Sequence, residues 1–485
     1  MARQNRKHVP EEQQGREEPI DTSCEAPLCE DPLETAPPQI AAGAATGPSR
    51  RTVLGLGAAA LGWTIVPRRV LGRGYQAPSD TLNIAAIGAG GKGYTDISSC
   101  EHENVVALCD IDFKRAARAV ELFPDAARYG DFRAMLDAEP GIDAVTISTP
   151  DHLHAFQALE AIARGKHVFC QKPLTRTIEE CQALMKAAAA SDVVTQMGNQ
   201  GHADEGTRLI REWLEAGLIG DVDRIEYWTN RPIWPQALER PTEMHAVPAH
   251  VDWQSWLGPA PDRPYHPDYY HPFNWRGWWD FGTGALGDIA CHSMDAGFWT
   301  YDLRGPTTVV AETTKLFEET APAACRITYE FPATASRGPI TVVWRDGELS
   351  PPNHPLFDGD EWPTLVSGQM FVGSKGLLIA DIYGNRPQLY PKALAEKVEA
   401  EPVPEKYPRT EGIYKEWTEA CKGNGKSGSD IATHAGPLTE MALLGNLAVR
   451  SREIVRWDAA KNSAGSEAAD RFLKADYRDG WSLPG

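Results

Sequence analysis

The chain is predicted to be α/β: an N-terminal doubly wound parallel sheet, then a C-terminal α+β domain with a mainly antiparallel open sheet. Three observations predict it. Short apolar runs alternate with helix-length segments from Asn83 to Met197, the pattern of a parallel sheet with crossover helices. A glycine-rich turn, Gly88 to Gly93, joins the first of those runs to the first such segment. Further on, period-two runs such as Arg326–Phe331 and Ile340–Trp344 read as antiparallel strands. The expected divisions are a leader at 1–79, the parallel-sheet domain at 80–200, the α+β domain at 201–457 and a polar tail at 458–485.

With 485 residues, 42% hydrophobic and 24% charged, the chain is long enough for two or three domains with real cores. A net charge of −19, with no basic stripe, argues against nucleic acid and against an anionic membrane surface. Nine cysteines lack C-x-x-C pairs. Cys24 and Cys29 fall in the leader, and the seven others are expected as buried small apolar residues rather than a disulfide framework.

Residues 1–49 are polar and rich in Pro and Glu, a composition that predicts disorder. Arg50-Arg51 then precedes an apolar Gly/Ala-rich run, Val53–Val66, too short to span a bilayer comfortably. This resembles a twin-arginine export signal and predicts a periplasmic or otherwise exported protein. Arg68, Arg69 and Arg73 after the run, and no clear cleavage site, count against it; without a working leader the address is cytoplasmic. No stable membrane span is expected.

Ile84–Ile87 reads as a buried strand, followed by Gly88, Gly90 and Gly93 as G-x-G-x-x-G, a helix-length segment and a second apolar run, Val105–Cys109. That order suits a Rossmann-type unit. Gly88 makes the turn, Gly90 lets a pyrophosphate approach, and Gly93 lets helix and strand pack. Gly91 and Lys92 complete the loop, and the helix start offers N–H groups to phosphates. Asp110 ends the second run, where a carboxylate accepts from the adenosine ribose. It favours NAD over NADP by repelling a 2′-phosphate, although Lys114 and Arg115 lie near. Helices are expected over Phe113–Phe123, Asp131–Ala138, His152–Arg164 and Thr177–Ala189. Strands are expected over Ala144–Ser148, His167–Cys170 and Val193–Met197. Thr149-Pro150-Asp151, Gln171-Lys172-Pro173 and Gly198-Asn199-Gln200 then fall at the carboxyl ends of strands, where such sheets bind ligands.

From Gly201 the texture changes. Tyr227–Phe281 is rich in aromatics, including Trp275, whose ring could face a sugar; core packing explains each tryptophan equally well. Glycines up to Gly287 predict a tight loop, then a helix starting near Asp288. On it Asp288 and His292 share a face at i and i+4, with Asp295 one turn on. Gly373–Gly376 reads as a hairpin turn, and Ile413–Ala420 and Pro437–Arg450 as helices. A zinc site through Asp288, His292 and another histidine lacks dense ligand spacing, so no metal is expected.

These motifs together resemble the Gfo/Idh/MocA oxidoreductases, named for glucose–fructose oxidoreductase and inositol dehydrogenase. The match rests on GAGGKG at 88–93, Asp110, Thr149-Pro150-Asp151-His152-Leu153-His154, Lys172-Pro173 and Asp288-x-x-x-His292, over roughly residues 80–450. The resemblance implies NAD as cofactor and a sugar, sugar derivative or polyol as substrate. Thr149, Pro150, His154, Gln171 and Gln200 join the loop residues at the cofactor, and Trp275 and Arg276 stand with the centre at the substrate. It also implies a homodimer or homotetramer through the open sheet. Lysine, aspartate and histidine meet at the nicotinamide in that family, roles carried here to Lys172, Asp288 and His292. A histidine suits proton removal as hydride leaves an alcohol, and Lys172 steadies the developing negative oxygen. Alone, Asp288 reads as an N-cap, His292 as a core histidine and Lys172 as a surface turn; their joint order favours a site. The family carries Glu-Lys-Pro where this chain has Gln171, which withdraws a carboxylate beside the amine. Two rivals remain: a glycosidase or lyase that oxidises transiently and retains its NAD, and a non-catalytic NAD-binding or sugar-sensing protein.

Overall fold

The computed structural model describes residues 80–357 and 365–484. The expectations for the leader, including Cys24, Cys29 and the apolar run Val53–Val66, lie outside the described residues.

The first half is built as its alternation demands. Strand β1 (Asn83–Ile87) is followed by helix α1 (Lys92–Ser98), β2 (Asn104–Cys109), α2 (Ala117–Leu122) and β3 (Ala127–Tyr129). Then come α3 (Phe132–Ala138), β4 (Ala144–Ile147), α4 (Asp151–Ala163), β5 (His167–Cys170), α5 (Ile178–Ala189) and β6 (Thr195–Met197). All six strands run parallel in the order β3-β2-β1-β4-β5-β6, so the order reverses between β1 and β4. Doubly wound sheets bind their ligands beyond the strand ends at such a reversal. The helix expected over Phe113–Phe123 is shorter than its apolar spacing suggests. Asp112 accepts from the backbone N–H of Lys114 (3.1 Å) and Arg115 (3.2 Å), holding its start as a loop. Thr177 and Glu180 form a capping box that starts α5.

The second half opens with α6 (Glu205–Glu215), β7 (Val222–Trp228) and α7 (Trp253–Leu257), then α8 (Gly284–Ser293) and α9 (Asp295–Tyr301). Strands β8 (Thr308–Thr313), β9 (Cys325–Phe331), β10 (Ile340–Arg345), β11 (Gly368–Gly373), β12 (Gly376–Asp381) and β13 (Gln388–Tyr390) follow. Helices α10 (Lys392–Ala400), α11 (Ile413–Cys421), α12 (Gly436–Ser451) and α13 (Glu467–Asp470) complete it. The sheet order is β13-β12-β11-β7-β10-β9-β8, antiparallel except for the pair β7 and β10. Gly373 pairs with Gly376 across the expected hairpin turn.

One element begins earlier than its glycines suggest. Helix α8 starts at Gly284, not near Asp288, and carries Gly287 within it. A Cβ on Gly287 would lie 1.8 Å from Thr283 Oγ1, so this glycine serves close packing rather than a turn. The helix stops at Ser293, and Asp295 opens α9 instead of continuing the same face.

The tryptophans of the aromatic stretch are core. Trp253, Trp256, Tyr265, Tyr270, Trp275, Trp278 and Phe281 form one buried cluster, with Ile111 of the parallel-sheet domain packed against it. Two helices from the second half pack back on the first: α11 sends Ile413 and Trp417 into the cluster of Ile84, Ile97 and Phe169, while α12 lies against α5. The polar segment after Asp458 is also engaged. Tyr477 and Trp481 meet Phe156 edge-on at 5.1 and 5.3 Å, and Leu473 accepts from the Glu179 N–H. The seven cysteines of the body are free, and six of them are buried. Among the described residues no helix is long and apolar enough to cross a membrane.

Candidate active site

The glycine loop leaves β1 at Gly88, whose φ of +81° is one that other residues rarely adopt. A Cβ on Gly93 would stand 1.8 Å from the Gly88 carbonyl oxygen, so α1 can pack here only through a glycine. No side chain caps α1 at Gly91; the Gly93 and Tyr94 N–H groups donate to the Gly90 and Gly91 carbonyls at 3.1 Å, which leaves the Gly91 and Lys92 N–H groups for an anionic ligand. The space beside Gly90 and Gly91 is bounded by Arg115, whose Cγ and Nη2 would lie 2.8 and 2.6 Å from added Cβ atoms. These features fit a dinucleotide's phosphates. Asp110 stands at the end of β2 as expected, and it also braces the loop. Its carboxylate accepts from the N–H groups of Ala89 (2.8 Å), Gly90 (3.0 Å) and Asp112 (2.9 Å). Burial nonetheless lifts Asp110 above the ordinary carboxylate range.

Lys172 leaves the end of β5 and meets Asp288 on α8. Its Nζ donates to the Asp288 backbone carbonyl (2.7 Å) and to Oδ1 (3.0 Å). Arg276 Nε donates to the same Oδ1 at 3.2 Å. Burial acts to raise Asp288, but Lys172 and Arg276 outweigh it and hold the carboxyl well below its usual range. Asp288 is therefore an ionised anchor for the amine rather than a proton acceptor.

His292 lies one turn beyond Asp288, and its Nδ1 faces the Gln200 carbonyl at 3.3 Å. A carbonyl only accepts, so Nδ1 carries the proton and Nε2 keeps its lone pair. Burial, reinforced by the Lys172 charge, pushes this imidazole down to about 3 and keeps it neutral. A neutral ring with a free Nε2 can take a proton from a hydroxyl.

Gln171 has found a replacement for the carboxylate it lacks. Its Nε2 donates to both oxygens of Asp96, at 2.9 and 3.1 Å. Asp96 sits on α1 with its side chain at 0% exposure, and it also accepts from Ser148 Oγ (2.6 Å) and Tyr414 OH (2.7 Å). Lys92 forms an i,i+4 ion pair with Asp96 at 3.2 Å, so its amine is directed into this network. Sequence reasoning missed Asp96 and Tyr414. The Lys92–Asp96 spacing was a signal for the first; Tyr414 arrives from 318 residues away and had none.

Other candidates act through the scaffold. His154 bridges two loops, its nitrogens 2.7 Å from the Thr149 carbonyl and 2.8 Å from that of Pro173. Thr149 donates its hydroxyl to Gln157, Pro150 precedes α4 as its N-cap, and Gln200 offers its carbonyl to His292. Trp275 is buried, and its ring lies 4.4 Å from the Arg276 guanidinium rather than open to a ligand. Asp295 turns away from the centre and accepts from His202 (2.8 Å) and His434 (2.6 Å). These three residues are close enough to hold a cation, yet each histidine is already hydrogen-bonded to its own Asp295 oxygen.

A glycine loop with an acid at the next strand end, beside a lysine, aspartate and histidine from two domains, defines a dinucleotide-binding oxidoreductase. Residues 82–199 match the model described as "Oxidoreductase family, NAD-binding Rossmann fold" of the Gfo/Idh/MocA group, and residues 224–361 match that family's C-terminal alpha/beta domain. Together these span more than half of the chain, which belongs to this oxidoreductase family, with an NAD-binding first domain. Inositol 2-dehydrogenase from Pseudomonas fluorescens is 35% identical over 147 residues, 29% of this chain and 44% of its own length. Levoglucosan dehydrogenase from Pseudarthrobacter phenanthrenivorans is 31% identical over 181 residues, 37% of this chain and 38% of its own. The chain thus matches less than half the length of either relative. The WlbA dehydrogenase from Bordetella pertussis, solved with NADH and UDP-GlcNAcA, shares the fold with a TM-score of 0.53 at 19% identity, over 78% of this chain and 99% of that one.

Proposed function

We propose that this protein is an NAD-dependent dehydrogenase of a sugar, sugar derivative or polyol. The observation that carries this reading is the Lys172–Asp288 pair, held at 3.0 Å beside a neutral His292. Bound NAD would supply the hydride acceptor. The Lys172 amine, oriented by Asp288, would hydrogen-bond the reacting hydroxyl oxygen and stabilise its developing charge. His292 Nε2 would take the hydroxyl proton. The relatives' names support a carbohydrate or polyol substrate. Purified protein incubated with NAD and a panel of sugars and polyols is expected to form NADH with at least one. A panel yielding none, with NAD demonstrably bound, counts against this reading.

The glycosidase-type alternative, with a retained cofactor, draws support from two contacts. Asp112, two residues past Asp110, pairs with His271 at 2.9 Å, and the Asp252 N–H donates to the Ile111 carbonyl at 3.1 Å. The second domain thereby straps the loop beside the expected adenosine end. Release of aglycone from an aryl glycoside without net NADH would favour that alternative. We further propose export through Ser49–Val66 and self-association through the seven-stranded sheet; both rest on the resemblance.

A further inference from the structure

We propose that the substrate is an anionic carbohydrate, a sugar bearing a carboxylate or phosphate, and that Arg276 receives its charge as the specificity-determining residue. This rests on Lys172 and Asp288 forming the reactive centre. Two cations converge on one oxygen there, because Lys172 Nζ and Arg276 Nε both lie within 3.2 Å of Asp288 Oδ1. One carboxylate balances one of them. Asp151, the nearby acid, is buried with its Oδ2 on the Thr283 hydroxyl at 2.6 Å, and burial pushes it up to about 7, so it offsets only part of the rest. His292 is neutral. Surplus positive charge therefore persists in a chain of net charge −19.

The guanidinium is also preorganised. Its carbon stands 4.4 Å from the Phe273 and Trp275 ring centres and 5.7 Å from that of Trp234. Nη1 donates to the Phe273 carbonyl at 3.0 Å, while Nη2 has no protein acceptor among the described residues. The side chain remains 20% exposed and that of Lys172 14% exposed, so both keep donors for a ligand. A fixed guanidinium with Nη2 unengaged suits an oxyanion, which takes a charge-assisted hydrogen bond from it. Lys172 then holds a hydroxyl on the same molecule, and the two contacts fix which carbon faces the cofactor.

The test is calorimetric titration of NADH-loaded protein with glucuronate, glucose 6-phosphate, glucose and myo-inositol. At least one anionic sugar should bind about tenfold or more tighter than either neutral one, and which anion does so identifies the group. Arg276→Gln should weaken anion binding about 30-fold or more, and by at least about tenfold more than it weakens neutral ligands, which feel only the loss of its bond to Asp288. Arg276→Lys, which keeps charge but not the fork, should recover part of the loss, and it decides the matter if the Gln variant does not fold. Equal affinity for neutral and anionic sugars, no binding of either anion, or equal losses for both classes in Arg276→Gln would overturn the proposal. Anion binding without NADH formation would leave the proposal standing and count against the dehydrogenase reading alone.

Discussion

Replacing Gly93 and Gly90 separately by alanine should produce two different failures. At Gly93 the added Cβ would sit 1.8 Å from the Gly88 carbonyl oxygen and 3.2 Å from Ser148 Cβ. Carbon and oxygen need about 3 Å or more, so α1 or the loop must move by over 1 Å. Backbone on both sides of the contact offers no cheap relief, and overpacking of this kind costs on the order of 1–3 kcal/mol. Gly93→Ala should therefore lower thermal stability and NADH affinity together, since the shifted helix no longer aims its N–H groups. At Gly90 the added Cβ would lie 2.8 Å from Arg115 Cγ and 3.1 and 3.2 Å from the Arg115 backbone carbonyl carbon and oxygen, a milder clash that asks the neighbouring loop to give by a few tenths of an ångström. Gly90→Ala should lose less thermal stability than Gly93→Ala yet bind NADH about tenfold or more weakly, because its methyl occupies the phosphates' approach. Fluorescence titration with NADH and thermal melting read both variants. Normal NADH binding by Gly93→Ala, or by a stable Gly90→Ala, would refute the assignment of these glycines.

Lys172→Met should reduce kcat/KM about 100- to 1000-fold on whichever substrate is found, with NADH binding retained, as loss of a donor to a developing oxyanion does elsewhere. His292→Ala should lower kcat about 100-fold or more, and wild-type activity in that variant would remove histidine as the proton carrier. Gln171→Glu sets a second carboxylate against buried Asp96 and should cost on the order of 2–4 kcal/mol by chemical denaturation. Adding Asp96→Asn should restore most of that loss, and no rescue would mean the pair is not coupled. Asp151 is raised from 3.8 to about 7 in the folded state, so between those values the native protein holds a proton that the unfolded chain releases. Its contribution to stability is full below about 4 and lost as pH rises through about 7. Melting of the wild type relative to Asp151→Asn should fall across that window, and parallel curves would contradict the shift.

Much of the fold was legible because local pattern and long-range structure agree in the first domain. Its strands are buried on both faces and read as continuous apolar runs, and the glycines mark positions where a Cβ has no room. The three-residue strand β3 was not legible, being too short to carry a period. The aromatic stretch was ambiguous for a physical reason: a tryptophan against another ring and a tryptophan against a sugar have the same local sequence. Contacts from distant segments decide between them.

At the site, Lys172, Asp288 and His292 were found and come together, but their division of labour needed coordinates. Only the geometry places two cations on one Asp288 oxygen and turns Nδ1 of His292 toward a carbonyl. The neutral Gln171 read as a loss. Asp96 lies 75 residues earlier in the chain, and its carboxylate accepts from the Gln171 amide, the group that stands in place of that missing charge.

Hydride transfer to the cofactor is most directly followed with a substrate deuterated at the oxidised carbon. Once the panel identifies a substrate, the NADH released from it should carry that deuterium, detected by mass spectrometry of the cofactor. Lys172→Met should bind NADH normally and transfer little label. Substrate turnover with the cofactor left unlabelled, or full transfer by Lys172→Met, would contradict the account.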